Sequence, residues 1–269
     1  MAGSIQSRYS DLKRILSEMG SAVIAFSGGV DSSLLLKAAV DSGIRTIPVV
    51  AVSETYTGGE LEQARCFSSD LGLTLIEVET NEIEDPLFRS NPPERCYHCK
   101  KELFSRLSEI AQREGIRWIA DGMNRDDLSD LRPGTQASEE ACIRHPLVDA
   151  GLGKEDIRSI SKMLGLPTWD RPSAACLASR IPYDTEITRE KLRMIEAAEE
   201  AVRSLGIRQV RVRHHGDIAR IEVDPNDLGK VLRERENIIK ALKEVGFVYV
   251  TLDIQGFRSG SMNEVLRTS

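Results

Sequence analysis

SAVIAFSGGVDSSLLLKAAVDSG, residues 21–43, begins as a strand and ends as a helix. SAVIAF (21–26) is a short apolar run, read as a buried strand. Gly28 and Gly29 follow; lacking side chains, they permit a tight turn and let backbone N–H groups approach an anion. SSLLLKAAVDSG continues as a helix ending at Gly43, and its N-terminus adds unpaired amides and the positive end of a dipole. Ser27, Ser32 and Ser33 bring hydroxyl donors to the same place. Asp31 repels a phosphate unless a cation intervenes, so it carries Mg²⁺ or caps the helix. No GK[ST] follows, which excludes the Walker pattern.

Working outward, TIPVVAV (46–52), LTLIEVE (73–79) and IRWIAD (116–121) read as further buried strands. They alternate with helical ELEQARCFSSDLG (60–72) and KKELFSRLSEIAQREG (100–115). Leu12, Ile15, Leu16 and Met19 recur at helical spacing and predict an amphipathic N-terminal helix. Strands alternating with helices predict an α/β domain with a doubly wound parallel sheet, its ligands at the C-terminal ends of the strands. WDRPSAACLASRIPYDTEIT, from residue 169, fits neither period and reads as a connecting segment. Beyond it come a helix (188–206), strands RQVRVR (208–213) and IARIEV (218–223), a helix (226–245) and a strand FVYVTLDI (247–254). The expected domains are therefore 1–168, a connection 169–187, and a smaller C-terminal α/β domain 188–269.

A chain of 269 residues suits two domains, and 41% hydrophobic with 29% charged residues is ordinary globular composition. A net charge of −6 gives no electrostatic footprint for nucleic acid. No run approaches the ~20 apolar residues that cross a bilayer, and the N-terminus has no signal-peptide core. The expected location is cytoplasmic, where thiols stay reduced.

In that compartment ERCYHCKKE (94–102) draws attention, because Cys96 and Cys99 stand one helical turn apart. Such a pair can form a redox disulfide, half of a zinc site with His98 nearby, or part of an iron–sulfur cluster. Lys100 and Lys101 either offset a charge there or are solvated. Cys66 and Cys142 read as buried packing. RQVRVR places Arg211 and Arg213 on one strand face, about 7 Å apart, and Val210 and Val212 on the other. Two guanidiniums so spaced suit a phosphate, or else form an exposed polar face. Asp126 and Asp127 either aid a magnesium ion or cap a turn, and His214 and His215 receive no role.

SGGVDS (27–32) resembles the PP-loop signature SGGxDS of the ATP pyrophosphatases, which cleave ATP between its α and β phosphates. DGMNRDDLSDLRPG (121–134), HPLVDAGLGKEDIR (145–158) and WDRPSAACLASRIPY (169–183) resemble the LarE family of ATP-dependent sulfur transferases. The likeness runs from the loop through RVRHHGDIARIEV (211–223). It implies a Rossmann-like PP-loop fold with ATP and Mg²⁺ held at Ser27, Gly28, Gly29, Asp31, Ser32 and Ser33. Ala51, Val52, Ser53 and Gly122 are then expected around the nucleotide. It further implies adenylation and thiolation of a carboxylate of pyridinium-3,5-biscarboxylic acid mononucleotide, on the way to the nickel-pincer cofactor of lactate racemase. Cys176 matches the sulfur-bearing cysteine, and with Cys96 and Cys99 it matches the three-cysteine members that carry a 4Fe-4S cluster. Arg180, Arg211 and Arg213 are then expected to clamp the acceptor's phosphate, with Glu200 and Glu222 as weaker contacts; read from the residues alone, Glu200 is a solvated helix residue and Glu222 a partner of Arg220 or Arg211. A sulfide source or sulfur-donor protein is the implied partner, in a homo-oligomer. The alternatives are sacrifice of the Cys176 sulfur itself, a related PP-loop tRNA thiolase, or a nucleotide sensor without chemistry.

Overall fold

The computed structural model describes residues 4–129, 133–172, 175–258, 260–262 and 264. Residues 130–132 of the DGMN…RPG run and 173–174 of PSAACLASR lie outside the described residues. Ser21–Ala25 forms β1, Arg45–Val52 β2, Ile76–Glu79 β3 and Trp118–Ala120 β4. All pair in parallel, in the order β3-β2-β1-β4, with Ala22 opposite both Thr46 and Trp118. Strand order therefore reverses between β1 and β4, the place where doubly wound sheets open a crevice for ligands.

Period-two alternation splits β1 between two cores. Ala22 and Ile24 pack on one face with Leu34, Leu35 and Leu36 of the Val30–Asp41 helix. Val23, with Val49 of β2, packs on the other face against Phe104, Leu107 and Ile110 of the Arg95–Arg113 helix. The Val30–Asp41 helix is apolar nearly all round, and its outer side is covered in turn. Leu12 and Leu16 of the Ile5–Met19 helix, with Ile157 and Ile160 of the Lys154–Met163 helix, complete that core. This double cover explains the helix's lack of a polar face.

The chain divides into two units, Met1–Glu82 with Pro93–Ala174, and Ile83–Pro92 with Ala175–Ser269. These limits differ from the expected ones, chiefly because residues 83–92 join the second unit. Asn91 accounts for the excursion: fully buried, its Nδ2 donates to the carbonyls of Ile181, Pro182 and Thr185 at 3.2, 2.7 and 3.1 Å. Its own backbone carbonyl takes the Asp184 N–H at 3.1 Å.

In the second unit β5 (Val210–His215) runs antiparallel to β6 (Ile218–Val223), and β6 runs parallel to β7 (Tyr249–Leu252). Val210, Val212, Ile221 and Val223 pack with Ala198 and Val202 of the Arg189–Ser204 helix. The expected single helix over 226–245 is broken: Glu234, with ψ near 9°, ends the Leu228–Arg233 helix and opens the Arg235–Val245 helix. Two cysteine expectations also need correction. Cys66 and Cys142 are both exposed. In the Gly58–Asp70 helix the buried stripe runs through Ala64, Phe67 and Ser68, which turns Cys66 outward. Cys142 occupies a turn with φ 52° between half-buried Ala141 and buried Ile143. Among the described residues no helix is long and apolar enough to cross a membrane.

Leu35 of the central helix is fully buried within the core of the first unit. Leu35→Ala is expected to lower the unfolding free energy by about 2–5 kcal/mol, read as a shifted urea midpoint with an unchanged slope.

Candidate active site

β1 delivers the chain to the phosphate loop at its C-terminal end. The Phe26 N–H still bonds Val49 O at 2.8 Å, so the loop begins from a fixed edge. Gly28 then takes φ +70°, open to glycine at no steric cost, and Gly29 caps the next helix without any side-chain bond to its amides. Ser27 Oγ and Ser32 Oγ share a hydrogen bond at 3.1 Å across the turn. Ser33 Oγ is buried without a hydrogen-bond partner among the described residues. Asp31 lies in the first helical turn. The result is a row of backbone amides at a helix start, with its serine hydroxyls close by.

Gly122 lies two residues beyond the end of β4. A Cβ there would stand 2.9 Å from Ser32 N and 3.2 Å from Ser32 Cα, so the DGMN run presses its backbone onto the start of the loop helix. Two side chains from elsewhere hold the loop's outer carbonyls: Tyr56 Oη donates to Ser27 O, and Arg171 Nη1 to Gly28 O at 2.9 Å. At the end of β2, Ala51 and Val52 are half-buried, and just beyond it Ser53 donates to Glu82 Oε1 at 2.6 Å, as Thr55 does at 2.7 Å. The Ser53 hydroxyl is therefore committed to a buried carboxylate.

At the end of β4, buried Asp121 pairs with His145 Nδ1 at 2.6 Å and lies 3.7 Å from Lys100 Nζ. Burial pushes its carboxyl up, but His145, Lys100 and the Met123 amide outweigh this and hold it below the usual carboxylate range. Lys100 thus ties the cysteine helix to the strand end. Asp126 accepts the Lys154 N–H at the start of the Lys154–Met163 helix at 2.8 Å, whereas Asp127 accepts the Asn124 N–H at 3.2 Å and closes a local turn.

Cys96 is exposed and Cys99 half-exposed in the first turns of the Arg95–Arg113 helix, and Cys176 is exposed as N-cap of the Leu177–Arg180 turn. All five cysteines are thiols. Within each unit, among the described residues, no three His, Cys, Asp or Glu side chains gather for a metal ion. Thiolates are nonetheless the donor set an iron–sulfur cluster takes, and none of these three is locked in a core.

The second unit concentrates arginines around two buried carboxylates. Arg180, itself 2% exposed, meets Glu199 through Nε–Oε1 at 2.8 Å and Nη2–Oε2 at 3.1 Å. Its Nη1 donates to the carbonyls of Ala175 and Cys176, at 2.5 and 2.9 Å, and to Ser179 Oγ at 3.0 Å. Arg180 is therefore engaged in holding the turn that presents Cys176. Glu199 also takes Arg203 Nη2 at 2.5 Å and the Val212 N–H of β5 at 3.1 Å. Burial opposes its charge, and Arg180, Arg211 and Arg203 overcome that, lowering its pKa. Glu200, the carboxylate expected here, points outward with a 73% exposed side chain near Arg203. The helical stripe Leu192, Ile195, Val202 runs through position 199, a signal the sequence did contain.

Arg211 and Arg213 do share a face of β5, both nearly buried. Arg213 pairs with Glu222 at 2.7 Å and donates to Ser179 O at 3.0 Å. Glu222 also receives Arg220 at 2.9 Å. Burial and the neighbouring Arg180 push the Arg211 pKa down to about 10. His214 and His215 are held below the usual imidazole range, chiefly by burial.

A parallel sheet with its crevice at the strand switch, and a glycine turn aiming amides from β1, define the class of PP-loop ATP pyrophosphatases. No family model matches the chain. An uncharacterized protein of Synechocystis is 41% identical over 265 residues, covering 97% of this chain and 99% of that protein. The pyridinium-3,5-bisthiocarboxylic acid mononucleotide synthase of Lactiplantibacillus plantarum is 38% identical over 265 residues, covering 98% of this chain and 96% of that protein. The chain belongs to the LarE family, that of this synthase, and is an ATP-dependent enzyme. In fold alone it is similar to the NMN synthetase of Francisella tularensis, with a TM-score of 0.53 and 20% identity over 64% of this chain and 76% of that one.

Gly122→Ala is expected to raise the ATP concentration for half-maximal pyrophosphate release by about tenfold, since backbone must move to admit the methyl. Arg180→Ala leaves Glu199 buried without its main partner and is expected to cost about 3–5 kcal/mol in urea unfolding at neutral pH. The Glu199 pKa is lower folded than unfolded, so the pair contributes fully above the ordinary carboxylate value, about 4.3. That contribution is lost as pH falls through the folded value, and the gap between wild type and variant should close there.

Proposed function

We propose that the protein inserts sulfur into a carboxylate of a pyridinium mononucleotide, pyridinium-3,5-biscarboxylic acid mononucleotide, with ATP as the activating substrate. The observation that carries this reading is the 38% identity maintained over 96% of a synthase named for the bisthiocarboxylic product. The loop supports it physically. A carboxylate is a poor electrophile, and attack of its oxygen on the α-phosphorus of ATP, with loss of pyrophosphate, turns that oxygen into a leaving group. A sulfur nucleophile then attacks the acyl carbon, and AMP departs to leave a thiocarboxylate.

The amides of the Gly28–Gly29 turn and the uncapped start of the Val30–Asp41 helix suit the phosphates. Asp31 is assigned to Mg²⁺, and the backbone of Ala51–Ser53 with Gly122 to the nucleotide. Arg211 and Arg213, which share a face of β5, are assigned to the acceptor's phosphate, with Glu222 orienting Arg213. Arg180 and Glu199 set the Cys176 turn. Cys96, Cys99 and Cys176 would hold a 4Fe-4S cluster, which supplies sulfide drawn from outside the protein so that Cys176 keeps its own sulfur. One observation favours the second reading, in which Cys176 gives up its sulfur and becomes dehydroalanine. Arg180 polarises the Cys176 carbonyl, which acidifies the adjacent Cα–H.

Anaerobic reconstitution with iron and sulfide is expected to load the wild type, and Cys96→Ala, Cys99→Ala and Cys176→Ala each to lose iron. Iron content unchanged in all three removes the cluster. Mass spectrometry after turnover separates the routes: an intact Cys176 supports the cluster, whereas a loss equal to H₂S supports sacrifice. Absence of pyrophosphate release with ATP and the mononucleotide overturns the activity itself.

A further inference from the structure

The phosphate loop lacks a cation of its own. SGGVDS contains no basic residue, Asp31 adds a negative charge, and Lys37, two turns along the helix, is occupied by Asp41 at 2.6 Å. Polyphosphate bound to amides and hydroxyls alone would gather its charge with little to meet it beyond a metal ion. That charge increases during adenylation. As the carboxylate oxygen bonds to the α-phosphorus, the bond from that phosphorus to the bridging oxygen breaks and its electron pair leaves with pyrophosphate.

One guanidinium in the first unit is placed to answer this. Arg171 reaches the loop from a distant part of the chain, Nη1 donating to Gly28 O at 2.9 Å. Its backbone is fixed: Arg171 N bonds Thr168 O at 3.1 Å, while Arg158 donates to the carbonyls of Trp169 and Arg171 at 2.8 and 2.7 Å. The Gly28 bond uses one of the five N–H donors an arginine carries, and the fork form suits phosphate oxygens. Among the described residues Arg171 makes no ion pair. Burial holds its pKa below the usual arginine value, and Tyr56, Asp170 and Glu60 offset that only in part. The Glu60 carboxylate is itself taken up by Thr57 in the cap of the Gly58–Asp70 helix. A half-buried, unpaired cation touching the rim of an anion loop is an unusual expense for a purely structural residue.

We propose that Arg171 is a phosphate-binding residue of this enzyme, contacting the pyrophosphate portion of ATP while remaining on the Gly28 carbonyl. The assignment rests on the reading of the loop as the ATP site. It makes Arg171 the side-chain cation that the loop omits, and it separates the ATP phosphates by chemistry. The amides suffice for the monoester phosphate of AMP, which must stay through the first step, whereas the leaving pyrophosphate needs the guanidinium.

Isothermal titration of the full-length protein with inorganic pyrophosphate and with AMP, each in the presence of Mg²⁺, tests this. Arg171→Gln is expected to weaken pyrophosphate binding by about tenfold or more, with AMP affinity kept within about twofold. Arg171→Lys, which restores charge without the fork, should fall between. Pyrophosphate affinity unchanged in Arg171→Gln overturns the assignment. So does an equal loss for AMP and pyrophosphate, which marks a residue that merely shapes the loop. A wild type that binds neither ligand, nor ATP, removes the ATP reading of the loop and this assignment with it, an outcome distinct from the other two.

Discussion

A helix buried along its whole length can meet a ligand only at its ends. The Val30–Asp41 helix comes close to this, its last residue Asp41 being exposed, with the sheet on one side and the Ile5–Met19 and Lys154–Met163 helices on the other. The rest of the first unit answers to this constraint. β1 must stop where the helix starts, so the turn between them has room for glycine and little else. β4 must bring a residue without a side chain beside the first helical turn, and Gly122 is that residue. The helix's other end is closed by Lys37 and the Tyr9 hydroxyl on Asp41, at 2.6 and 2.7 Å, which leaves the amide end as the open one.

The second unit is organised by charge. Glu199 and Glu222 are both fully buried, and each is surrounded by guanidiniums from different elements. Buried ions are stabilising only when their partners are in place, so this network fixes side-chain positions more than it adds stability. Glu199 in particular joins a helix, the start of β5 and the Cys176 turn through one carboxylate. The exposed thiol is thereby carried on a backbone with few alternative conformations.

What could be read in advance followed periodicity and glycine. The parallel sheet and the loop at one of its inner strands came from local pattern, whereas the helix expected from residue 100 in fact starts at Arg95 and carries the cysteine pair. Position 199 was not singled out, and Glu200 entered only through the family resemblance; neighbouring residues on a helix differ by about 100° in direction, and the distinction rests on which stripe is buried. Cys66 was assigned inward for the same reason, from its apolar character and not from its phase. Tyr56 and Arg171 had no local signal at all. Each acts on a carbonyl of the loop from far along the chain, at a separation of 143 residues for Arg171. The break at Glu234 is equally silent, since nothing in RERENII stops a helix by composition.

The passage of residues 83–92 into the second unit has a consequence for how the molecule is made. Emerging from the ribosome, this decapeptide precedes by some ninety positions the carbonyls of Ile181, Pro182 and Thr185 that Asn91 will bind. The second unit is therefore incomplete until residues 175–269 have been made. No single cut can therefore yield two autonomous halves: severing the chain after residue 174 strands Asn91 on the wrong fragment.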